Sequence, residues 1–208
     1  MNFTLPKTYP ITDNRLSGIC HAGQVEKLIA GGAKIIQLRE KRDSPRGFYE
    51  DAAKAIAVAR GNGVRIIIND RVDIALALNA DGAHLGQDDL PPVHARKILG
   101  PDAIIGFSTH SLEQARSALS LPIDYIAIGP IFATATKENP EAAIGIEGLA
   151  TVRNAIGDFP LVAIGGIRFT NLEEIFAAGA DSAAMIQDLV SDAAQITYRM
   201  REHSKFHS

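Results

Sequence analysis

The chain reads as an α/β protein, a single (β/α)8 TIM barrel over residues 1–208. Three observations carry that expectation. Short β-branched apolar runs alternate with amphipathic segments, and eight such units of about 25 residues follow one another. The run at residues 64–68 is nearly continuous in apolar character, as in a parallel sheet buried on both faces. Strands alternating with helices imply right-handed crossovers, and eight of them close most naturally into a barrel of somewhat over 200 residues. A doubly wound open sheet is the runner-up, but Asp13-Asn14-Arg15 stands where its Gly-rich dinucleotide turn would follow the first strand. No linker, low-complexity tract or long charge run marks a second domain.

The elements follow in order. Residues 8–12 form the first strand and 25–30 the first helix. Residues 34–38 make the second strand. The next helix, 45–60, has Ser44 as N-cap and Pro45 at its first position, and Gly61-Asn62-Gly63 stops it. Strand three, 64–68, leads to a helix at 71–79. Strands at 82–85 and 103–107 lead to helices at 92–99 and 111–119. Strand six, 124–128, is separated from the helix at 146–156 by a long loop. The last strands, 161–164 and 182–186, precede helices at 171–178 and 188–203.

With 46% hydrophobic and 22% charged residues, the chain can bury a sizeable core as a soluble globule. A net charge of −3 gives no general attraction to nucleic acid, so any phosphate site is focal. Cys20 is the single cysteine, which excludes an intrachain disulfide, fits a reducing compartment and reads as structural. The first seven residues lack a secretory h-region, and no apolar stretch approaches the roughly 20 residues that cross a bilayer. The expectation is a cytoplasmic protein acting on small molecules, with neither nucleic acid nor membrane as partner. Self-association into a homo-oligomer is left open.

Four polar clusters lie just after apolar runs: Gln37-Leu38-Arg39-Glu40-Lys41, Asn69-Asp70-Arg71, Gln87-Asp88-Asp89 and Thr134-Ala135-Thr136-Lys137. A parallel barrel gathers its C-terminal strand ends at one mouth, where these groups together suit a magnesium-bound phosphate ester. Arg39 can grip an anion through two hydrogen bonds and Lys41 as a point charge, although a solvated surface pair explains them equally well. Gln37, two residues before Arg39, faces the same side of the sheet. Asp70 and Asp89 offer the two carboxylates that magnesium usually takes, with Asp88 an equal alternative to Asp89. Asn69 supplies an amide for a heterocycle or phosphate, or else a helix N-cap.

The loop at 129–145, about 17 residues, is long for a compact barrel. Thr134, Thr136 and Lys137 within it can close over a pyrophosphate and exclude water. Gly165-Gly166 follows strand seven, where barrels often bind phosphate through backbone N–H groups, and Met185-Ile186-Gln187 can complete that cradle. A tight turn is the plain alternative for the glycines. Ser108-Thr109-His110 does not read as a hydrolase, because neighbours on an extended segment point apart and no Gly-x-Ser-x-Gly elbow is present. His84 is either a pocket hydrogen-bonder or a satisfied core residue, and the histidines show no metal-ligand spacing.

These clusters, together with Tyr9-Pro10-Ile11-Thr12-Asp13, His84-Leu85-Gly86, Gly129-Pro130-Ile131-Phe132 and Ala163-Ile164-Gly165-Gly166-Ile167, resemble the thiamine-phosphate synthase family, within its superfamily shared with thiazole tautomerase. The resemblance implies a (β/α)8 transferase of thiamine biosynthesis. It would join 4-amino-2-methyl-5-hydroxymethylpyrimidine diphosphate to a thiazole phosphate, releasing pyrophosphate, with the pyrimidine–oxygen bond breaking first. It implies Asp70 and Asp89 as ligands of Mg2+, and Arg39, Lys41, Asn69 and Lys137 around the diphosphate. Gln37 and Ser108 would face the pyrimidine, Thr134 and Thr136 the thiazole phosphate, and Gly166 and Ile186 the phosphate cradle. Catalysis would rest on Arg39, Lys41, Lys137 and Ser108, with no general base required. Two stretches depart from the family pattern: Ile186-Gln187 where Ile-Ser is usual, and residues 139–144. A thiazole tautomerase-like paralogue would need an acid/base histidine instead of the metal site. A non-catalytic thiamine-precursor binding protein would keep the pocket without turnover.

Overall fold

The computed structural model describes residues 4–134 and 142–205. Eight parallel strands close a barrel in chain order, β1 (Thr8–Thr12), β2 (Ile35–Leu38), β3 (Arg65–Asn69), β4 (Gly82–Leu85), β5 (Ile104–Thr109), β6 (Tyr125–Ile128), β7 (Leu161–Ile164) and β8 (Ser182–Met185), with β8 pairing back onto β1. Among the described residues ten α-helices surround them: α1 (Asn14–Ser17), α2 (His21–Ala30), α3 (Pro45–Gly61), α4 (Val72–Ala77), α5 (Pro92–Leu99), α6 (Leu112–Ala118), α7 (Gly145–Ile156), α8 (Leu172–Ala177), α9 (Gln187–Val190) and α10 (Ile196–Lys205). The expected (β/α)8 architecture is what the chain forms.

Alternation along each strand divides the apolar residues into two layers. Ile36, Leu38, Ile66, Ile68, Ile126 and Ile128 point outward into the large core beneath the helices. Tyr9, Ile11, Ile35, Ile67, Ile104, Tyr125, Ala127, Val162 and Ala184 fill the barrel itself. Both layers are buried, which is why the strands read as unbroken apolar runs.

Local chemistry sets the helix ends. The Ser44 hydroxyl accepts from the Gly47 amide at 3.0 Å, and Pro45 follows it, so the expected N-terminus of α3 is where it forms. Asp13, read only as a poor dinucleotide turn, caps the short α1 through the Arg15 and Leu16 amides. The expected continuous helix at 188–203 is instead two helices, α9 and α10, separated by residues 191–195. Ser191 and Asp192 account for the break: Ser191 caps α9, and the Asp192 carboxylate accepts from the Ala194 amide at 2.9 Å, a local bond that competes with the helix ladder.

The N-terminal face of the barrel is tied by a repeated device. Asp81, Asp124 and Asp181, each just before an even-numbered strand, accept from the Ile66, Ile105 and Leu161 amides of the preceding strand at 2.7–2.8 Å. Arg96 of α5 and Arg153 of α7 pair with Asp124 and Asp181 while donating to nearby loop carbonyls. This face carries stability, and the opposite mouth carries the polar clusters.

Candidate functional site

Four neighbouring strands present polar side chains to the mouth. Gln37 is the last but one residue of β2, Asn69 ends β3, His84 lies on β4 and Ser108 on β5, with Asn69 directly opposite His84 in the sheet register. Strand β5 runs two residues beyond its expected end, so Ser108 sits on the barrel wall instead of on a loop. Gln37, Asn69 and His84 are buried. The Asn69 amide nitrogen is buried without a hydrogen-bond partner, a donor left available at the floor of the mouth.

Ser108 does meet a histidine, but across the sheet: its hydroxyl lies 2.8 Å from His84 Nε2. His110 turns instead to the Gly129 carbonyl at 2.6 Å. The other nitrogen of His84 meets the Tyr125 hydroxyl at 2.9 Å, Tyr125 meets Tyr9 at 3.0 Å, and Gln37 Nε2 meets Tyr9 at 3.3 Å. Burial pushes the His84 imidazole down to about 4 and the Tyr9 phenol up to about 12, because neither can be charged cheaply there. Tyr125 is raised for the same reason.

Above this floor the two acidic clusters converge. Asp70 forms an ion pair with Lys41, and the Asp89 carboxyl lies within hydrogen-bonding reach of Asp70. Asp89 also accepts from the Gly86 amide at 2.6 Å, whereas Asp88 is exposed, so the fold sets Asp89 rather than Asp88 against Asp70. Loss of solvent is the main force raising the Asp89 carboxyl above the ordinary range, opposed by the Gly86 amide and reinforced by the neighbouring Asp70. Two adjacent carboxylates are costly unless a cation lies between them. Among the described residues no group of three or more His, Cys, Asp or Glu forms a ready metal cage. Magnesium needs none, since it takes one or two carboxylates plus phosphate oxygens, and this all-oxygen pair fits it.

The loop after β2 is shaped by a residue that sequence reasoning passed over. Glu40 Oε1 accepts from the amides of Lys41, Arg42 and Asp43 at 2.8, 2.8 and 3.2 Å, curling the backbone and turning Lys41 toward Asp70. Desolvation, the largest single influence, pushes its carboxyl up, but those three bonds and the nearby His21 together hold it below the ordinary range. Behind it lies the buried His21, lowered by desolvation, with Nε2 3.5 Å from Glu40 and Nδ1 2.6 Å from the Thr12 hydroxyl. Arg39 pairs with Asp13 at 3.0 Å, which fixes its guanidinium at the β1–β2 rim.

On the far side, Gly165 and Gly166 adopt φ of +100° and +66°. A Cβ on them would fall 2.5 Å from Pro130 and 2.7 Å from Phe132, so the glycines admit the loop after β6 as well as open the strand end. That loop docks through the Ile131 and Phe132 amides, on the Ile164 and Gly165 carbonyls. Thr134 is partly buried at its edge, while Thr136 and Lys137 lie outside the described residues. Ile186 precedes α9 and packs against the barrel interior, and Gln187 is exposed.

Tyr9 and Tyr125 were missed as site residues, being read only as apolar strand positions. Gly106 held the signal: a glycine inside a strand marks a close approach, and a Cβ there would sit 2.0 Å from Tyr125 and 2.5 Å from His84.

Known proteins are similar to this chain in sequence and in fold. The family model described as thiamine monophosphate synthase matches residues 8–189. A thiamine-phosphate synthase of Azorhizobium caulinodans is 43% identical over 205 residues, covering 95% of each chain. One of Chloroflexus aurantiacus is 42% identical over 197 residues, covering 94% of this chain and 90% of the relative. The solved thiamine phosphate pyrophosphorylase of Pyrococcus furiosus superposes with a TM-score of 0.84 at 35% identity, covering 96% of both chains. The chain belongs to the thiamine monophosphate synthase family of transferases.

Proposed function

We propose that this protein couples 4-amino-2-methyl-5-hydroxymethylpyrimidine diphosphate with a thiazole phosphate, giving thiamine phosphate and pyrophosphate with the help of Mg2+. The observation that carries this reading is the meeting of Asp70, Asp89 and Lys41 beside the Gln37–Ser108 floor at one barrel mouth. Asp70 and Asp89 would hold the magnesium ion, which supplies charge neutralisation that makes diphosphate a better leaving group.

Lys41, already turned inward by Glu40, and Arg39, braced by Asp13, face the accumulating negative charge as the pyrimidine–oxygen bond breaks. Asn69 offers its unpartnered amide N–H to the diphosphate. Gln37 and Ser108 orient the pyrimidine, and Thr134, Thr136, Gly166 and Ile186 hold the thiazole phosphate. Lys137 completes the cationic side when the loop after β6 closes and shuts out water, protecting the electron-poor methylene from hydrolysis. The thiazole nitrogen attacks with its own lone pair, so the protein's task is alignment and charge stabilisation.

Pyrophosphate release measured with both substrates tests this. It should require Mg2+, stop with chelator and fall roughly 10²–10³-fold in Lys137→Ala, the usual cost of removing one charge-stabilising donor. Release that ignores chelator contradicts the metal role. Binding of both substrates without release points to a binding protein, and isomerisation of a thiazole carboxylate phosphate points to a tautomerase. The paired carboxylates, which a tautomerase has no use for, favour the synthase.

A further inference from the structure

Beneath the mouth, Gln37, Tyr9, Tyr125, His84 and Ser108 form an unbroken line of hydrogen bonds across the barrel interior, of 3.3, 3.0, 2.9 and 2.8 Å. Its two ends are the residues assigned to the pyrimidine, so any role for the line in recognition rests on the synthase reading. Its middle belongs to no substrate contact. Tyr9 and Tyr125 are 1% and 0% exposed, and their rings meet edge to face. Residues His84, Gly106 and Tyr125 lie side by side on β4, β5 and β6, and Tyr125 reaches His84 only because Gly106 has no side chain.

Such a line has a direction. A hydroxyl carries one proton, and a neutral imidazole one N–H and one lone pair, so all four bonds are made with every proton used within the line when each member that receives a hydrogen bond from one neighbour gives one to the next. With the Gln37 amide nitrogen on Tyr9, the protons point from Gln37 through Tyr9 and Tyr125 to His84 Nδ1, and from His84 Nε2 to Ser108. The Gln37 carbonyl oxygen is then left as an acceptor, and the Ser108 hydroxyl has its own proton free to donate. Turning the Gln37 amide over would reverse every bond and convert Ser108 to an acceptor.

We propose that this one-way relay makes Tyr9, Tyr125 and His84 positioning residues that select a 4-aminopyrimidine over a 4-oxopyrimidine. An aminopyrimidine offers an amino donor to Gln37 and, across the ring, a nitrogen acceptor to Ser108, which the forward direction satisfies at both ends. A 4-oxo ring presents acceptors at both places. The Gln37 oxygen that receives the amino group meets an oxo group acceptor to acceptor, and turning the amide over to relieve that contact makes the relay withdraw the proton that Ser108 must give. In either orientation of the amide one end sets an acceptor against an acceptor, a mismatch that disfavours binding.

The test compares kcat/KM for the amino and 4-oxo pyrimidine diphosphates in wild type and in Tyr125→Phe, which keeps the ring but cuts the relay. Gln37 can then turn without consulting Ser108, so the amino-over-oxo preference should fall about tenfold or more, with KM for the thiazole phosphate unchanged. A smaller fall overturns the proposal. Tyr9→Phe makes the same cut should Tyr125→Phe not fold. Independently, the His84 ring in wild type should carry its proton on Nε2 by 15N NMR, and an Nδ1 proton overturns the direction of the relay. Absence of pyrophosphate release by wild type with the amino substrate would instead sink the synthase reading, so the two failures are separable.

Discussion

Asp70 occupies the left-handed backbone region, φ +61°, immediately after β3, with its amide donating to the His84 carbonyl at 2.8 Å. Aspartate tolerates that conformation better than most residues but still at some cost, here added to the proximity of Asp89. Asp70→Gly removes both burdens together with the carboxylate. The variant should unfold at or above the wild-type temperature, gaining up to about 1 kcal/mol, while turnover drops at least about 100-fold. Thermal melts and the pyrophosphate assay measure the two effects, and a variant less stable than wild type would show the strain argument to be wrong. His84 gives a second residue-scale prediction. Its folded pKa, about 4, lies below the unfolded value near 6.5, so the unfolded chain binds the extra proton. Stability is complete above about pH 6.5 and declines as the pH falls toward 4, by up to about 1.4 kcal/mol per pH unit. Denaturant titrations should show a shallower decline in His84→Asn, with His21, also lowered by burial, sustaining part of the slope. Residues whose chemistry is local, such as Ser44, Asp70 and Gly165, were legible in the sequence. Tyr9 and Tyr125 were not, because their partners are brought to them by the closed sheet, and Glu40 was passed over although its amide partners lie within three residues of it.

At the scale of elements, the strands were placed within a residue or two and most helix ends nearly as well, although the first expected helix, 25–30, begins at His21 and the short α1 before it was not expected. Apolar alternation and capping residues act within a few positions, which is the range sequence reading can see. The extension of β5 to Thr109 was not visible because it depends on pairing with β6, where Thr109 stands opposite Ile128. The division between α9 and α10 was missed because helix periodicity outweighed the Ser191-Asp192 turn. The Asp–Arg ties at the barrel's N-terminal end make a separate prediction. Arg96 pairs with Asp124 and donates to the Gly100, Pro101, Ala103 and Pro122 carbonyls, far along the strands from the mouth. Arg96→Ala should cost about 2 kcal/mol of unfolding free energy by leaving Asp124 and those carbonyls short of a donor. Its kcat/KM should stay within about twofold of wild type. A large loss of kcat/KM in a folded variant would show that the two ends of the barrel are not independent.

For the whole molecule, closure of the sheet is what converts scattered sequence clusters into a site. Gln37, Asp70, Asp89 and Ser108 are far apart along the chain, yet β2, β3, β4 and β5 are consecutive staves, so their C-terminal ends share one rim. The site was therefore legible as a set once the barrel was inferred, although its internal wiring was not. The most direct measurement is a crystal structure with pyrophosphate and Mn2+ in place of Mg2+, located by its anomalous signal. The account predicts one metal peak bridging Asp70 and Asp89, about 2.0–2.3 Å from their oxygens, with pyrophosphate against Lys41 and Asn69. A metal bound elsewhere, or pyrophosphate seated away from those carboxylates, would contradict it.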